Sequence, residues 1–430
     1  MSTTTTAPAR AGLATSLAIV GGLFFIFGFV TWLNGPLISF AKLAFNVSES
    51  LAFLIPSAFY ISYFVLALPS SAILRKTGMK KGMALGLLLM AIGAAVFGQY
   101  TTGRVYPGAV AGIFVIGAGL ALLQTASNPY ISILGPIEGA AQRIALMGIC
   151  NKLAGWAAPY VIGTLVMHGM GDVAAQAAAA PDAASRDAVL DAFAARIHGP
   201  YLVMAGLLAL LAVGILFSPL PEVRAETVNS ERDGEGRSSL LQFPHVWLGA
   251  LCIFVYVGVE VMAGDAIGTY GEALGLPLDQ AKFFTGFTLA AMLAGYVAGL
   301  VLIPRFISQQ RYLGLSAVLG VLLAVAACLA EGYTAVYCVA ALGFANAMMW
   351  PAIFPLAIQG LGRLTERGSA LLIMGIAGGA VVPQLFVHLK QHYDFQLVFT
   401  ALVVPCYLYI LYYAMRGHRA GLHGGQPGGR

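Results

Sequence analysis

Lys152, Glu260 and Asp265 each stand at least five residues inside a long apolar stretch, where ionisable side chains are rare. An ionised side chain at the centre of a bilayer costs about 3 kcal/mol on insertion scales, so it normally faces a cavity, a counter-ion or a transported solute. Lys152 follows Arg143 by nine residues, about 14 Å along a helix and too deep for its amine to reach water easily. It needs an acidic partner, and Glu260 and Asp265 are the buried acids available. The spacing leaves open which one it takes. It also leaves open the simpler reading, in which all three only satisfy polar groups between helices. Glu260 lies 16 residues beyond Pro244, about 24 Å along a helix, and Asp265 follows roughly 140° further around. The two carboxylates need not share a face, and Gly258, Gly264 and Gly268 mark where the helix can unwind. Such carboxylates suit either a proton or Na⁺, the latter with neutral oxygens from the region around Gly264.

A second set of residues is neutral. Gln124 and Asn128 are spaced i, i+4, as are Lys152 and Trp156, and Asn346, Trp350 and Phe354 continue that spacing beside Pro351 and Pro355. Asn34 and Asn151 add two more amides. Amides for hydroxyl groups and aromatic faces for C–H surfaces are what a sugar ring requires. Any one of these residues also fits a role as packing glue between helices. Tyr60 and Tyr63 fit either a pathway lining or simple packing.

The elements that hold these residues are apolar. Of 430 residues, 59% are hydrophobic and 10% charged, against about 25% charged in soluble domains. Runs near 15–40, 51–73, 83–101, 107–134, 144–167, 200–219, 245–271, 283–303, 312–330, 334–360, 369–389 and 396–415 approach or exceed the roughly 20 residues a spanning helix needs. The expected fold is an all-α polytopic membrane protein of twelve helices. The start, MSTTTTAPARAGLATS, has one Arg and no cleavage site after a short apolar core, so the first helix is expected to remain.

With both termini in the cytoplasm, sixteen Lys and Arg residues fall inside, Arg75, Lys81, Arg305 and Arg311 among them, and six fall outside. That asymmetry sets the orientation. It also accounts for the net charge of +5 without a nucleic-acid partner. The five cysteines fall within spans and show no CxxC spacing, so they read as small buried residues with no disulfide or metal site.

Two polar stretches interrupt the pattern. Residues 168–199 form a long outer loop whose Ala-rich second half suits a surface helix, and residues 220–243 read as a cytoplasmic linker. The linker divides an N-terminal half, 1–219, from a C-terminal half, 244–430. Gly28 and Gly258 are 230 apart, as are Arg75 and Arg305, and Leu146-Met147-Gly148-Ile149 returns as Ile373-Met374-Gly375-Ile376 at an offset of 227. A near-constant offset indicates an internal duplication.

Specific strings go further: FGFVTWLNG (27–35), SAFYISYF (57–64), LPSSAILRKTGMKKGM (68–83), LQTASNPYISILGP (123–136), MGICNKLAG (147–155), YVGVEVMAGD (256–265) and WPAIFPLAIQGLG (350–362). Over residues 22–415 the chain resembles the fucose-permease-like branch of the major facilitator superfamily, which takes up fucose, glucose, galactose and N-acetylglucosamine. The resemblance implies two pseudo-symmetric six-helix bundles, a monomer in the bacterial inner membrane, and a sugar site between halves that rock about it. On that basis Asn34, Gln124, Asn128, Asn151, Lys152, Trp156, Asn346, Trp350 and Phe354 are candidate sugar contacts. Glu260, Asp265 and Lys152 are candidate cation-coupling residues. Arg75 and Lys81, with Arg305 and Arg311, resemble the cytoplasmic gating loops, although no Asp precedes Arg75 and positive-inside topology explains the charges equally well. One departure matters. In the fucose permease the residues matching Gly35 and Gln124 are carboxylates implicated in proton and sugar handling, and those matching Glu260 and Asp265 are uncharged. The ionisable groups here have moved to the seventh helix.

The expected function is import of a hexose or N-acetylhexosamine coupled to H⁺ or Na⁺, with no cofactor. An uncoupled facilitator and a proton-exchange exporter of sugars or drugs are the alternatives. No GK[ST] phosphate loop is present, which argues against an ATP-driven pump. His168, His198, His245, His388 and His392 all sit at span ends or in loops, so no enzymatic centre is expected.

Overall fold

The computed structural model describes residues 10–133, 140–221, 239–303, 305–361 and 364–421. Among them there is no strand. In the first half, α1 (Arg10–Thr31) and α2 (Asn34–Ala44) form one span, α3 (Glu49–Ala52) and α4 (Leu54–Thr77) the second, α5 (Met79–Thr102) the third, α6 (Tyr106–Ile133) the fourth and α7 (Ala140–Leu165) the fifth. Two surface helices, α8 (Met170–Ala179) and α9 (Ala183–Ala195), precede the sixth span, α10 (His198–Phe217). The second half repeats the plan. Its seventh span is α11 (Pro244–Gly264) with α12 (Ile267–Ala273), and its eighth is α13 (Leu278–Ala281) with α14 (Phe284–Leu302). The ninth is α15 (Gln309–Leu329), and the tenth is α16 (Gly332–Asn346) with α17 (Met349–Ile358). The eleventh joins α18 (Thr365–Met374) to α19 (Gly378–Leu389) through a 3₁₀ turn, and α20 (Phe395–Met415) is the twelfth.

Eleven helical stretches among the described residues are long and apolar enough to cross a membrane. The remaining expected span is α7, whose 26 residues give ample length but carry Arg143, Asn151 and Lys152. Most of the expected linker, residues 222–238, lies outside the described residues. The outer loop differs from its expected form. Its Ala-rich first part is already helical as α8, and Asp182 then caps α9 by accepting from the Ser185 N–H at 2.7 Å. Alanine has the highest helix propensity, so both runs fold once Pro181 separates them. The cysteines differ too: Cys252 is buried, but Cys150, Cys328, Cys338 and Cys406 are only half-buried.

The sequence repeat corresponds to close packing. A Cβ on Gly28 would lie 2.2 Å from the Asn151 carbonyl oxygen of α7, and one on Gly258 would lie 2.5 Å from Val382 of α19. Each half thus presses its first span against its fifth through a glycine, the small-residue contact that lets membrane helices approach. Between α4 and α5 the chain turns on Gly78 alone, at φ 78°. That left-handed value is open to glycine and strained for other residues.

Several spans break near mid-length. The first is interrupted at Trp32–Leu33, the seventh at Asp265–Ala266 and the tenth at Ala347–Met348. Broken helices expose backbone groups that side chains or ligands must satisfy, and in membranes they occur where protein or a cavity surrounds them.

Candidate functional site

A cavity enclosing about 790 Å³ of empty space, its open mouth included, lies between the two halves. Its lining comes from Phe24 to Trp32 in the first span, Tyr60 and Tyr63 in the second, Gln124 and Asn128 in the fourth, Ile144 to Lys152 in the fifth, Tyr256 to Glu260 in the seventh, Tyr296 in the eighth, Trp350 with Pro351 in the tenth and Ile376 in the eleventh. Successive spans alternate in direction, so Phe24 and Ile144, early in odd-numbered spans, and Asn128, Tyr296 and Trp350, late in even-numbered ones, lie toward the end where the first span starts, while Trp32, Tyr60, Tyr63, Glu260 and Ile376 lie nearer mid-span.

Lys152 and Glu260 meet in this cavity across the two halves, with Nζ donating to Oε1 at 2.9 Å. Both are nearly buried, at 7% and 9% exposure. The Tyr256 hydroxyl, one turn earlier on α11, donates to the same Oε1 at 2.8 Å. The ammonium also sits 4.2 Å from the centre of the Trp32 ring, a cation–π contact that strengthens with desolvation. Trp32 in turn donates to Asn151 Oδ1 at 3.3 Å. A buried pair of this kind is held by geometry and added hydrogen bonds more than by net stability. Here one acid, one amine, one phenol and one indole supply them.

Trp32 is wedged. A Cβ on Gly155 would lie 2.4 Å from its ring and one on Gly264 would lie 2.5 Å from it, so a glycine from each half makes room for the indole. Beyond Trp32 the halves are in direct contact. Asp265 sits at the break between α11 and α12, 1% exposed, with Oδ2 accepting from the Tyr60 hydroxyl at 2.9 Å.

The far end of the bundle is bolted across the halves. Lys390 pairs with Glu49 at 2.5 Å and Lys42 with Glu272 at 3.4 Å. Ser39 donates to Glu272 at 2.6 Å, Gln391 to Ser50 at 2.8 Å, and Lys282 to the Met167 carbonyl at 3.0 Å.

Of the expected sugar contacts, Gln124, Asn128, Asn151, Lys152 and Trp350 line the cavity. Gln124 donates to the Tyr63 hydroxyl at 3.0 Å. Asn34, Trp156, Asn346 and Phe354 do not line it. Asn346 is 0% exposed and accepts from Tyr407 at 2.8 Å. The break after α16 also cancels the i, i+4 register that would have aligned it with Trp350. Asn34 falls past the break in the first span and is buried against the closed end. Trp156 is 41% exposed and lies beyond Lys152, where the lining of α7 stops. Phe354 is one layer back, stacked on Trp350 with ring centres 5.7 Å apart.

Arg75, Lys81, Arg305 and Arg311 are all exposed, and none makes an ion pair among the described residues. Trp32, Tyr256 and Tyr296 are lining residues that the sequence reading passed over. Tyr256 was signalled by its i, i+4 spacing to Glu260, and Trp32 by its place in the first span.

Residues 20–383 match the family model of the Major Facilitator Superfamily. The chain is 33% identical over 404 residues to a "Glucose/galactose transporter" of Brucella abortus biovar 1 (strain 9-941), covering 93% of each. It is 26% identical over 370 residues to the "L-fucose-proton symporter" of Escherichia coli (strain K12), covering 85% of this chain and 84% of that one. A crystal structure of the transporter FucP in the outward conformation matches with a TM-score of 0.74 at 25% identity, over 94% of this chain and 99% of that one. A helical bundle built twice over, with a charged cavity between its halves and this extent of likeness, places the chain in the Major Facilitator Superfamily.

Proposed function

We propose that this protein imports a hexose or N-acetylhexosamine (glucose, galactose or N-acetylglucosamine) together with H⁺ or Na⁺, by alternating access across the bacterial inner membrane. The observation that carries this reading is the Lys152–Glu260 pair, made between the halves inside a cavity that also presents Gln124, Asn128, Asn151, Trp32 and Trp350. Amides match ring hydroxyls, indoles match the C–H faces, and the ion pair supplies charged hydrogen-bond partners that strengthen in a dry site. The names of the relatives support the sugar assignment. With both termini in the cytoplasm, the bolted end is periplasmic and the cavity belongs to the inward-facing state. Sugar would then be released past Phe24, Phe27 and Ile144.

The test is uptake of radiolabelled glucose, galactose and N-acetylglucosamine into proteoliposomes, with Na⁺ and pH gradients imposed separately. Accumulation above the external concentration under one gradient is expected. Equilibration without accumulation under both would replace symport by facilitated diffusion, and no saturable uptake of any hexose would remove the sugar assignment.

A further inference from the structure

Glu260 and Asp265 sit five residues apart on one broken helix, yet their surroundings differ in kind. Glu260 has a cation and a phenol on one oxygen. Asp265 has no cation. Its Oδ2 accepts from Tyr60, and its Oδ1 is fully buried with no hydrogen-bond partner. The charged and titratable groups facing it are Tyr60 from α4, Lys152 from α7 and Glu260 from its own helix, and Lys152 is already committed to Glu260. The Gly35 N–H of α2 faces the carboxylate, but its approach to Oδ1 falls short of hydrogen-bond geometry. A buried carboxylate with one donor on Oδ2, none on Oδ1 and no counter-ion of its own is costly, and a bound cation removes the cost.

The neighbouring backbone is prepared for one. At the break, the Asp265 and Ala266 N–H groups both bond back to the Val261 carbonyl, and the carbonyls of Ala263 and Gly264 instead accept from the hydroxyls of Thr288 and Thr285 on α14 at 2.6 and 2.8 Å. A Cβ on Gly35 would lie 2.5 Å from Thr285 Oγ1 and 3.3 Å from Asp265 Oδ1, so hydroxyl and carboxylate border the same small space.

We propose that Asp265 Oδ1 is where the single co-transported cation binds, and that Tyr60 ties its occupancy to closure of the periplasmic end. Glu260, by contrast, is the counter-ion of Lys152 in the sugar cavity. Tyr60 belongs to the opposite half, so its bond to Asp265 exists only while the halves are closed against each other there. An occupied, neutral Asp265 can be buried against Tyr60 and Gly35. An empty, charged one cannot be so at low cost, and so it drives the periplasmic end open after release. A ligand that binds the two arrangements unequally shifts their balance by that difference. The cation is a proton held on Oδ1, or Na⁺ held by Oδ1 with the Thr285 hydroxyl and the freed carbonyls. This inference rests on the symport reading above.

Wild type, Asp265→Asn, Tyr60→Phe, Thr285→Val and Glu260→Gln are compared in proteoliposomes, each first shown to be monodisperse. In wild type, the arm with a Na⁺ gradient at constant pH and the arm with a pH gradient in Na⁺-free buffer identify the cation. Asp265→Asn is expected to take up sugar only to equilibrium, with no response to either gradient. Tyr60→Phe is expected to keep accumulation but raise the half-saturating cation concentration about fivefold, the effect of one lost hydrogen bond. Thr285→Val raises that concentration if the cation is Na⁺ and leaves it unchanged if it is a proton. Glu260→Gln is expected to lose sugar binding, measured by fluorescence or calorimetry, while Asp265→Asn retains it. Gradient-driven accumulation by Asp265→Asn overturns the proposal, as does loss of sugar binding in that variant. If wild type itself accumulates sugar under neither gradient, the symport reading fails and the cation site falls with it, an outcome distinguishable from failure at Asp265 alone.

Discussion

Three ion pairs among the described residues join the two halves, and they are chemically alike but physically unequal. Lys152–Glu260 has side chains 8% and 12% exposed and borders the cavity, Lys390–Glu49 is 11% and 23% exposed, and Lys42–Glu272 is 45% and 13% exposed. Exposure grades the consequence of breaking each. A surface pair contributes roughly 0–1 kcal/mol. Removing one partner of a buried pair costs about 3–5 kcal/mol, because the other charge is stranded. On the proposed mechanism, the inner pair is part of the machinery that must be satisfied in each state, and the outer pairs are a latch that biases which state is populated.

The sharpest way to break this comparison is Lys152→Ala. It should lower uptake by about 100-fold or more and reduce thermal stability, in keeping with a stranded Glu260. The double variant Lys152→Met/Glu260→Met should regain stability in a melting assay while uptake stays lost. Recovery of uptake would make the pair structural only. Next in size, Gln124→Ala or Trp350→Ala should raise the KM for sugar by about fivefold or more, the loss of one hydrogen bond or one ring contact. Stability should be little changed for Gln124→Ala, which borders open space, and modestly lowered for Trp350→Ala, which also loses its stack on Phe354. Lys390→Ala should shift the balance toward opening of the end that carries Lys390 and Glu49 by up to about fivefold. Faster thiol labelling of a cysteine introduced at Ser57, whose hydroxyl lies 3.5 Å from the Ala380 carbonyl, would show it. Lys42→Ala should change labelling by less than about twofold. An effect as large as that of Lys390→Ala would erase the distinction by burial.

The spans, their duplication and the buried acid–base set were legible in the sequence, because lipid demands long apolar helices and makes each charge conspicuous. The choice of Glu260 over Asp265 as partner of Lys152 was not. It depends on what faces each side of α11: Asp265, still helical and roughly 140° further around, reaches the Tyr60 hydroxyl at the cavity's edge, while Glu260 faces Lys152. Breaks explain the misplaced amides. The i, i+4 rule that linked Asn346 to Trp350 assumes one continuous helix, and the tenth span is two. Trp156 failed for a different reason, since periodicity gives a direction around the axis but not the depth at which the cavity ends. Tyr60 was ambiguous because an aromatic residue in an apolar helix looks the same whether it packs or donates.

Trp32, held between Gly155 and Gly264, has one more consequence. The indole acts as a spacer whose fit is tight only when the halves are drawn together around it. A single added methyl at Gly264, which would meet the ring at 2.5 Å, penalises that arrangement and leaves the opposite one untouched wherever the helices part. Gly264→Ala is thus a one-carbon wedge that selects a conformation without replacing any polar or charged side chain, a direct means of holding the transporter with its other face open for structure determination.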